Sequence, residues 1–276
     1  EPKKKYVISA EDLPAGAVTA TKEHILHTLG TVLAGSGAPG CPALVDLLQE
    51  AGGKEESTIL AWGIRVPAHH AAMANSTMGH AQEFDNNDDR IAYKSSVCAV
   101  PGGLAVAERV GTTSGRDMLT AICIGIDLGI RMGLSIQPQP AHPSAPNLGP
   151  FASAAAAAKL LGLDQFQTWD ALALALCGVS TVGTSTTSLS YTKRYQAGAA
   201  SRNGVFAAIL ASKGFNARQE VFTSGRGYFR GVHGREGDVD RFATLAAPKA
   251  RREFWVGPPK VTLSEEFYSS VLRVGF

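Results

Sequence analysis

The sequence FASAAAAAKLLGLD, which occupies residues 151–164, decides the fold class. Its small side chains are typical of a helix that lies inside a bundle, because alanine allows two helix axes to approach closely. Gly162 is a candidate left-handed C-cap, and the Asp-x-x-Gln segment that follows has the spacing of a capping box. We therefore predict that residues 152–161 and 165–177 form an antiparallel helical hairpin with a tight turn.

Helical periodicity continues towards the start of the chain. Five apolar residues recur there at the spacing of one helix face, namely Ile25, Leu26, Leu29, Val32 and Leu33. The glycine-rich residues 35–40 interrupt this pattern, and a new helix is expected from Pro42 onward. Apart from residues 260–263, no alternating pattern longer than a few residues indicates a strand. The chain is therefore predicted to be all-α, a bundle of roughly ten helices.

Residues 119–134 form the most apolar window of the chain, yet they contain Asp127 and Arg131. These two charges stand four residues apart and can pair across one helical turn. A membrane span needs roughly 20 mostly apolar residues, and two charges near its centre would be costly. We therefore predict no membrane segment but a buried helix, which begins at a capping box formed by Ser114 and Asp117.

Composition indicates a globular protein and excludes one class of partner. Hydrophobic residues make up 45% of the chain, and the net charge of +2 gives no reason to expect nucleic-acid binding. The four cysteines lack Cys-x-x-Cys spacing, so neither a zinc site nor a disulfide framework is predicted. A reducing compartment, the cytoplasm, is expected.

Residues 78–90 read MGHAQEFDNNDDR and bring acids, amides and a histidine to the end of a predicted helix at 68–81. On a continuous helix, His80, Glu83 and Asn87 would lie at i, i+3 and i+7 on one face. The alternative is a helix that ends in a solvated acidic loop. The motif alone permits both interpretations.

Four segments, taken in order, resemble one family. They read PAHPS at 140–144, then, after a short glycine and proline linker, the alanine-rich helix at 151–164, TKRYQAGAASRNG at 192–204 and GRGYF at 225–229. In this order and spacing they are similar to the MmgE/PrpD family, which includes 2-methylcitrate dehydratases, cis-aconitate decarboxylases and an iminodisuccinate epimerase. The resemblance extends from about residue 19 to residue 229.

The resemblance implies a helical domain over residues 1–230, and it fades in an irregular connection and tail at residues 231–276. Members of the family ordinarily continue into a mixed α/β domain that closes over the substrate. No recognisable segment of this sequence matches that lid domain. The resemblance also implies a homodimer.

Reactions in this family start from a carbon–hydrogen bond beside a carboxylate or release a carboxylate, so they need fixed cations and a proton carrier. The resemblance implies that His142 is the proton carrier and that Lys193 clamps a substrate carboxylate, with no metal and no other cofactor. Without the resemblance, His142 would be interpreted as a solvated loop histidine. Gln196 stands where the family has a histidine, and its amide can donate a hydrogen bond but cannot titrate.

Two further positions depart from the family pattern. EFDNN at residues 83–87 stands where the family reads Asp-Phe-Asp-Asp-Thr, so Glu83 keeps a carboxylate and an amide replaces the threonine. Lys94 takes the place of a histidine and is expected either to bind a second carboxylate or to act as the base itself. A solvated loop lysine is the alternative. The remaining residues predicted to bind substrate are His80, Asp85, Asn87, Tyr93, Arg194 and Gln196.

Two pairs of histidines suggest metal binding less strongly. His24 and His27 are three residues apart on a predicted helix with no third ligand, so they are interpreted as surface histidines. His69 and His70 are adjacent and are expected to point to different helix faces. No metal site is predicted.

The sequence thus predicts a metal-independent lyase that removes water or carbon dioxide from a small di- or tricarboxylate. An epimerase or isomerase acting on a similar substrate is the first alternative. A non-catalytic protein that binds a carboxylate or a partner is the second, because histidines are replaced and the lid domain is not recognisable. Under the lyase prediction, four catalytic residues should converge on one cavity: His142, Lys193, Lys94 and Glu83.

Overall fold

A computed structural model describes residues 8–91, 93–136, 145–180, 190–217, 221–222 and 227–234. Over these residues the chain forms eight α-helices: α1 (Ala15–Gly35), α2 (Cys41–Ala51), α3 (Ala68–His80), α4 (Ser96–Val110), α5 (Gly115–Ser135), α6 (Ala145–Leu160), α7 (Gln165–Ala175) and α8 (Thr192–Ser212). Short 3-10 turns occur at Ala10–Asp12 and Leu176–Gly178, and one π turn occurs at Tyr228–Val232. The prediction of a mostly helical fold is confirmed.

A short β-hairpin lies between α2 and α3. β1 (Ser57–Ile59) pairs antiparallel with β2 (Ile64–Val66), so that Ser57 lies opposite Val66. The connecting turn places Ala61 and Gly63 at positive φ. Three-residue strands are too short to give a recognisable alternating pattern, so the sequence does not predict them.

Helix α6 lies at the centre of the bundle and packs against α4, α5, α7 and α8. Its alanines at positions 152 and 154–158 are buried, as expected of an interior helix. Helix α8 approaches closely because Gly204 leaves room: a Cβ there would lie 2.3 Å from the carbonyl oxygen of Pro150. Small residues on both helices therefore set the distance between them.

The predicted hairpin of α6 and α7 is confirmed. Gly162 has a φ of +66°, the left-handed conformation expected at the end of α6. Asp164 caps α7, because its carboxylate accepts a hydrogen bond of 2.9 Å from the Gln167 N–H, and the Gln167 side chain accepts one from the Asp164 N–H. The capping box was readable from residue spacing alone.

Helix α6 begins earlier than the sequence predicts. The glycine and proline taken as a linker, Gly149 and Pro150, lie inside the helix. Pro150 has no N–H to donate to the carbonyl group of Pro146, one turn earlier. Ser180 supplies that donor instead, with its N–H 3.0 Å from the Pro146 oxygen. A long-range hydrogen bond therefore allows a proline inside the helix.

Helix α5 is the predicted buried helix. Arg131 Nε lies 2.8 Å from Asp127 Oδ2 in the predicted ion pair, and both side chains are buried. Ser114 caps the helix by accepting a hydrogen bond from the Asp117 N–H. By length and composition α5 could cross a membrane, but most of it is buried inside the bundle, which accounts for its apolar sequence.

Helix α1 does not bury the face that its leucines suggest. Leu26 and Leu33 are exposed (74% and 58%), whereas the buried residues are mostly small or polar: Ala17, Ala20, Thr21, His24, Thr28, Thr31, Val32 and Gly35. Helix α1 packs against α3, and a Cβ on Gly35 would lie 2.0 Å from the carbonyl oxygen of Met78. Close contact between the helices therefore selects small side chains, and the prediction that His24 lies at the surface is wrong.

The last described segment returns to the core. Tyr228 and Phe229 are buried, and the Tyr228 ring contacts those of Phe151 and Phe222. The predicted division at residue 230 stays a prediction, since most of the tail at 231–276, including 260–263, lies outside the described residues.

Candidate active site

The acids and amides of the motif at residues 78–90 follow the end of α3. Helix α3 stops at His80, and Glu83 adopts a left-handed conformation with a φ of +60°. Glu83 and Asn87 therefore lie beyond the helix, and the prediction that they share a helix face with His80 is wrong. The turn nevertheless returns Glu83 to His80, with 3.9 Å between Glu83 Oε1 and His80 Nε2.

A buried pair of His80 and Asp85 forms the inner part of the site. His80 Nδ1 lies 2.8 Å from Asp85 Oδ2, and the two side chains are only 5% and 2% exposed. Burial by itself would raise the pKa of the Asp85 carboxyl, but the interactions with His80 and Lys94 outweigh it and lower that pKa. Asp85 is therefore a carboxylate that can only accept hydrogen bonds, so the Nδ1 of His80 carries the proton.

Lys94 reaches the same carboxylate from the segment before α4. Its Nζ donates to the backbone oxygen of Asp85 at 3.0 Å and lies 3.6 Å from Asp85 Oδ1. The position where the resemblance implies a histidine thus supplies a cation that is bound to Asp85.

A network of small polar side chains fixes the two segments that carry Asp85 and Lys94. The Asn86 amide donates to Ser95 Oγ at 2.8 Å, and its oxygen accepts from Ser96 Oγ. Thr28 on α1 in turn donates to Ser96 Oγ at 2.9 Å. The sequence pattern pointed to the neighbouring Asn87 and not to Asn86, because loop residues have no periodicity that shows which amide points inward.

Lys193 and Glu83 form the outer part of the site. Lys193 Nζ lies 2.6 Å from Glu83 Oε2, and their side chains are 41% and 37% exposed. Lys193 stands in the first turn of α8, which packs against α3, so helix packing joins residues 110 positions apart. The structure thus brings together Lys193, Glu83, His80, Asp85 and Lys94.

The other predicted site residues make different contacts or lie outside the described residues. Tyr93 is fully buried in the core, where its ring lies against Gly129, and its contact with substrate stays a prediction. Arg194 donates to the Pro39 oxygen at 2.8 Å and lies over the Tyr191 ring, away from Lys193. Asn87 bonds to Asp89, and Gln196 is partly buried on α8. His142 lies outside the described residues.

Three other histidines make contacts that the sequence did not show. His27 donates from Nε2 to the backbone oxygen of Phe84 at 2.9 Å, so α1 holds the loop between Glu83 and Asp85. The rings of His69 and His70 are in contact at 4.3 Å, contrary to the prediction that they point to different faces.

The chemistry of the cluster suits an anion rather than a metal. His80, Glu83 and Asp85 offer ligand atoms within 4.8 Å of one another, a spacing that a divalent ion could bridge. Both carboxylates, however, already pair with ammonium groups, which would repel a cation. The expectation that the site holds no metal stays a prediction.

Comparison with known proteins gives one family. The model of the MmgE/PrpD N-terminal domain matches residues 6–238. A cis-aconitate decarboxylase-like protein of Aspergillus oryzae is 27% identical over 232 residues, which cover 80% of this chain and 48% of that protein. The cis-aconitate decarboxylase of Mus musculus is 28% identical over 234 residues, 80% of this chain and 46% of the mouse protein. The chain spans about half the length of the curated relatives it matches.

Proposed function

The chain belongs to the MmgE/PrpD family, and we propose that it is a metal-independent lyase that removes carbon dioxide or water from a small di- or tricarboxylate. Several relatives are cis-aconitate decarboxylases, which supports decarboxylation first. The chemistry of the cluster supports the same class, since the ammonium group of Lys193 can hold a substrate carboxylate beside a histidine that can transfer a proton.

The observation that carries this proposal is an exposed ion pair beside a buried one. An exposed pair such as Lys193 and Glu83 contributes only about 0–1 kcal/mol. A substrate carboxylate can therefore replace Glu83 as the partner of Lys193 at little cost. Removing a partner from buried Asp85 would instead leave an uncompensated charge, which costs about 3–5 kcal/mol. Lys193 is thus the cation available to substrate.

The proposed reaction needs the groups that this site contains. In decarboxylation the bond to the leaving carboxylate breaks, carbon dioxide departs, and the electron pair stays on carbon until one proton is added. Lys193 stabilises the negative charge through a remaining carboxylate. In dehydration a base removes a proton from carbon, and the leaving hydroxide takes a proton from an acid. Both routes require one positioned proton carrier.

Several expectations from the sequence accompany this proposal. His142 keeps its predicted role as a proton carrier. A homodimer, a cytoplasmic location and the absence of a nucleic-acid or membrane partner likewise stay predictions.

The test uses the purified protein in D2O with cis-aconitate and a panel of other di- and tricarboxylates, followed by NMR. We expect release of carbon dioxide or water from at least one substrate. Lys193→Met should lower kcat/KM by about 100-fold or more, because it removes one fixed charge that stabilises the developing anion. Lys213→Met is the control, because Lys213 is exposed just beyond the opposite end of α8.

Two outcomes would contradict the lyase. Deuterium exchange without net product would indicate an epimerase or isomerase. Binding without exchange or turnover would indicate a carboxylate-binding protein.

A further inference from the structure

We propose that His80 is a proton-transferring residue of this site, beside the predicted His142, and that Lys94 positions it through Asp85. The inference rests on the proposed function, and it assigns His80 a role beyond the substrate contact expected from the sequence. It also assigns Lys94 to the inner framework of the site and not to the substrate.

The hydrogen bond with Asp85 sets the orientation of the His80 ring. Because Asp85 accepts at Nδ1, that nitrogen carries a proton, and Nε2 is left to exchange one with the substrate. Unprotonated Nε2 removes the carbon-bound proton in dehydration, and protonated Nε2 supplies the proton that carbon gains in decarboxylation. Nε2 is turned towards Glu83, 3.9 Å from its Oε1, and Glu83 is the residue bound to Lys193. A substrate carboxylate that displaced Glu83 from Lys193 would therefore bring its neighbouring carbon atoms near the free nitrogen of His80.

Lys193 and Lys94 differ in their exposure and in their partners. Lys193 is 41% exposed and has one carboxylate partner at the surface. Lys94 is 23% exposed and binds both the backbone oxygen and the carboxylate of a buried residue. A substrate could recruit Lys193 without disturbing the core, whereas recruiting Lys94 would leave buried Asp85 with less compensation. Lys94 is therefore suited to hold Asp85 against His80.

Charged groups face His80 from several elements of the structure. Asp85 and Glu83 face it from the loop after α3, Lys94 stands behind Asp85 from the segment before α4, and Lys193 approaches through Glu83 from α8. His27 of α1 holds the loop itself by its bond to Phe84. Removing the positive charge of Lys94 should move the pH–rate profile to higher pH, in its acid limb for dehydration and in its basic limb for decarboxylation.

The kinetic test uses cis-aconitate, or the best substrate of the panel, and determines kcat and KM separately. His80→Gln should lower kcat by about 100-fold or more with little change in KM, since it removes proton transfer and leaves Lys193 in place. Lys94→Met should lower kcat by about tenfold and shift the pH–rate profile to higher pH. Lys94→Arg should restore most of kcat, because arginine can still pair with Asp85.

Different results separate the possible failures. Parental kcat in His80→Gln would overturn the inference and leave the lyase intact. A raised KM in Lys94→Met with unchanged kcat would place Lys94 on the substrate and overturn its positioning role. Loss of turnover in Lys94→Arg would make Lys94 the base. A parent protein that neither turns over nor exchanges any substrate of the panel would overturn the proposed function and this inference with it.

A spectroscopic measurement keeps the proposal testable if His80→Gln does not fold. With histidine labelled in nitrogen-15, we expect an NMR signal from a hydrogen-bonded Nδ1–H on His80. The signal should be lost in Asp85→Asn and kept in Lys213→Met. A neutral His80 protonated on Nε2 and not on Nδ1 would overturn the assignment of Nε2 as the nitrogen that exchanges protons with the substrate.

Discussion

Glu83 combines an unfavourable backbone conformation with a contact at the candidate site. A left-handed φ costs a residue with a Cβ about 1 kcal/mol relative to glycine. The exposed pair with Lys193 offsets little of that cost. Such strain is typical of functional sites, where it positions a group that a relaxed chain would not hold.

Glu83→Gly should therefore leave the free energy of unfolding unchanged or raise it by up to about 1 kcal/mol. Turnover should fall by about tenfold, because Lys193 loses the group that orients it. Ala61→Gly is the matched control: Ala61 has a φ of +65° in the β-hairpin turn, so it should gain stability without loss of turnover. Urea denaturation and substrate assays measure both effects, and a loss above about 1 kcal/mol in Glu83→Gly would contradict the strain.

For the candidate site, the sequence indicated which residues carry charge but not how these residues pair. Resemblance selected Lys193, Glu83 and Lys94, and helix packing brings them to one place. The bond between His80 and Asp85 depends on a loop that turns back after α3, and loop geometry has no period from which to read it. The burial of Tyr93 in the core could not be read from the sequence for the same reason, since adjacent loop residues can point to core or site.

Among the elements, α3 and α8 fix the distance between the two halves of the site. A Cβ on Gly198 of α8 would lie 2.0 Å from Thr77 Oγ1 and 2.6 Å from the Met73 oxygen of α3. A backbone oxygen cannot move aside as a side chain can, so any larger residue must separate the helices.

Gly198→Ala should destabilise the protein by about 1–3 kcal/mol, because the added methyl group overpacks the contact between α3 and α8. Gly30→Ala is the control within a helix. Gly30 is exposed on α1, and a Cβ there would meet no atom within 4 Å, so alanine should stabilise by about 0.5–1 kcal/mol. Equal free energies of unfolding for the parent and Gly198→Ala, measured by urea denaturation, would show that Gly198 does not set the spacing of α3 and α8.

Two helix caps and the turn between α6 and α7 were predictable because local chemistry determines them. The caps at Ser114 and Asp164 and the turn at Gly162 follow from residue type and spacing. The buried face of α1 was not predictable in this way. Its leucines point outward because close packing on α3 requires small side chains, and that requirement comes from another element.

The free energy of unfolding of the protein should depend on pH in two separate pH ranges. Burial first, and the neighbouring His70 and Arg202 charges next, lower the pKa of His69 from 6.5 to about 4. The pKa of Asp85 is lowered below its ordinary 3.8. The unfolded chain binds a proton at His69 between pH 6.5 and 4 while the folded protein resists it, so stability falls as the pH falls through that range. The contribution of Asp85 is lost only below pH 3.8, as the pH falls towards its folded value.

His69→Gln should therefore flatten the loss of thermal stability between pH 6.5 and 4 and leave the loss at lower pH unchanged. Arg202→Met should flatten it less, since it removes one of the charges that oppose protonation of His69 and leaves burial, the larger cause, in place. Thermal unfolding at a series of pH values, at constant ionic strength, measures both slopes. Parallel curves for the parent and His69→Gln would show that His69 does not couple folding to protonation, and the acid dependence would then belong to other groups.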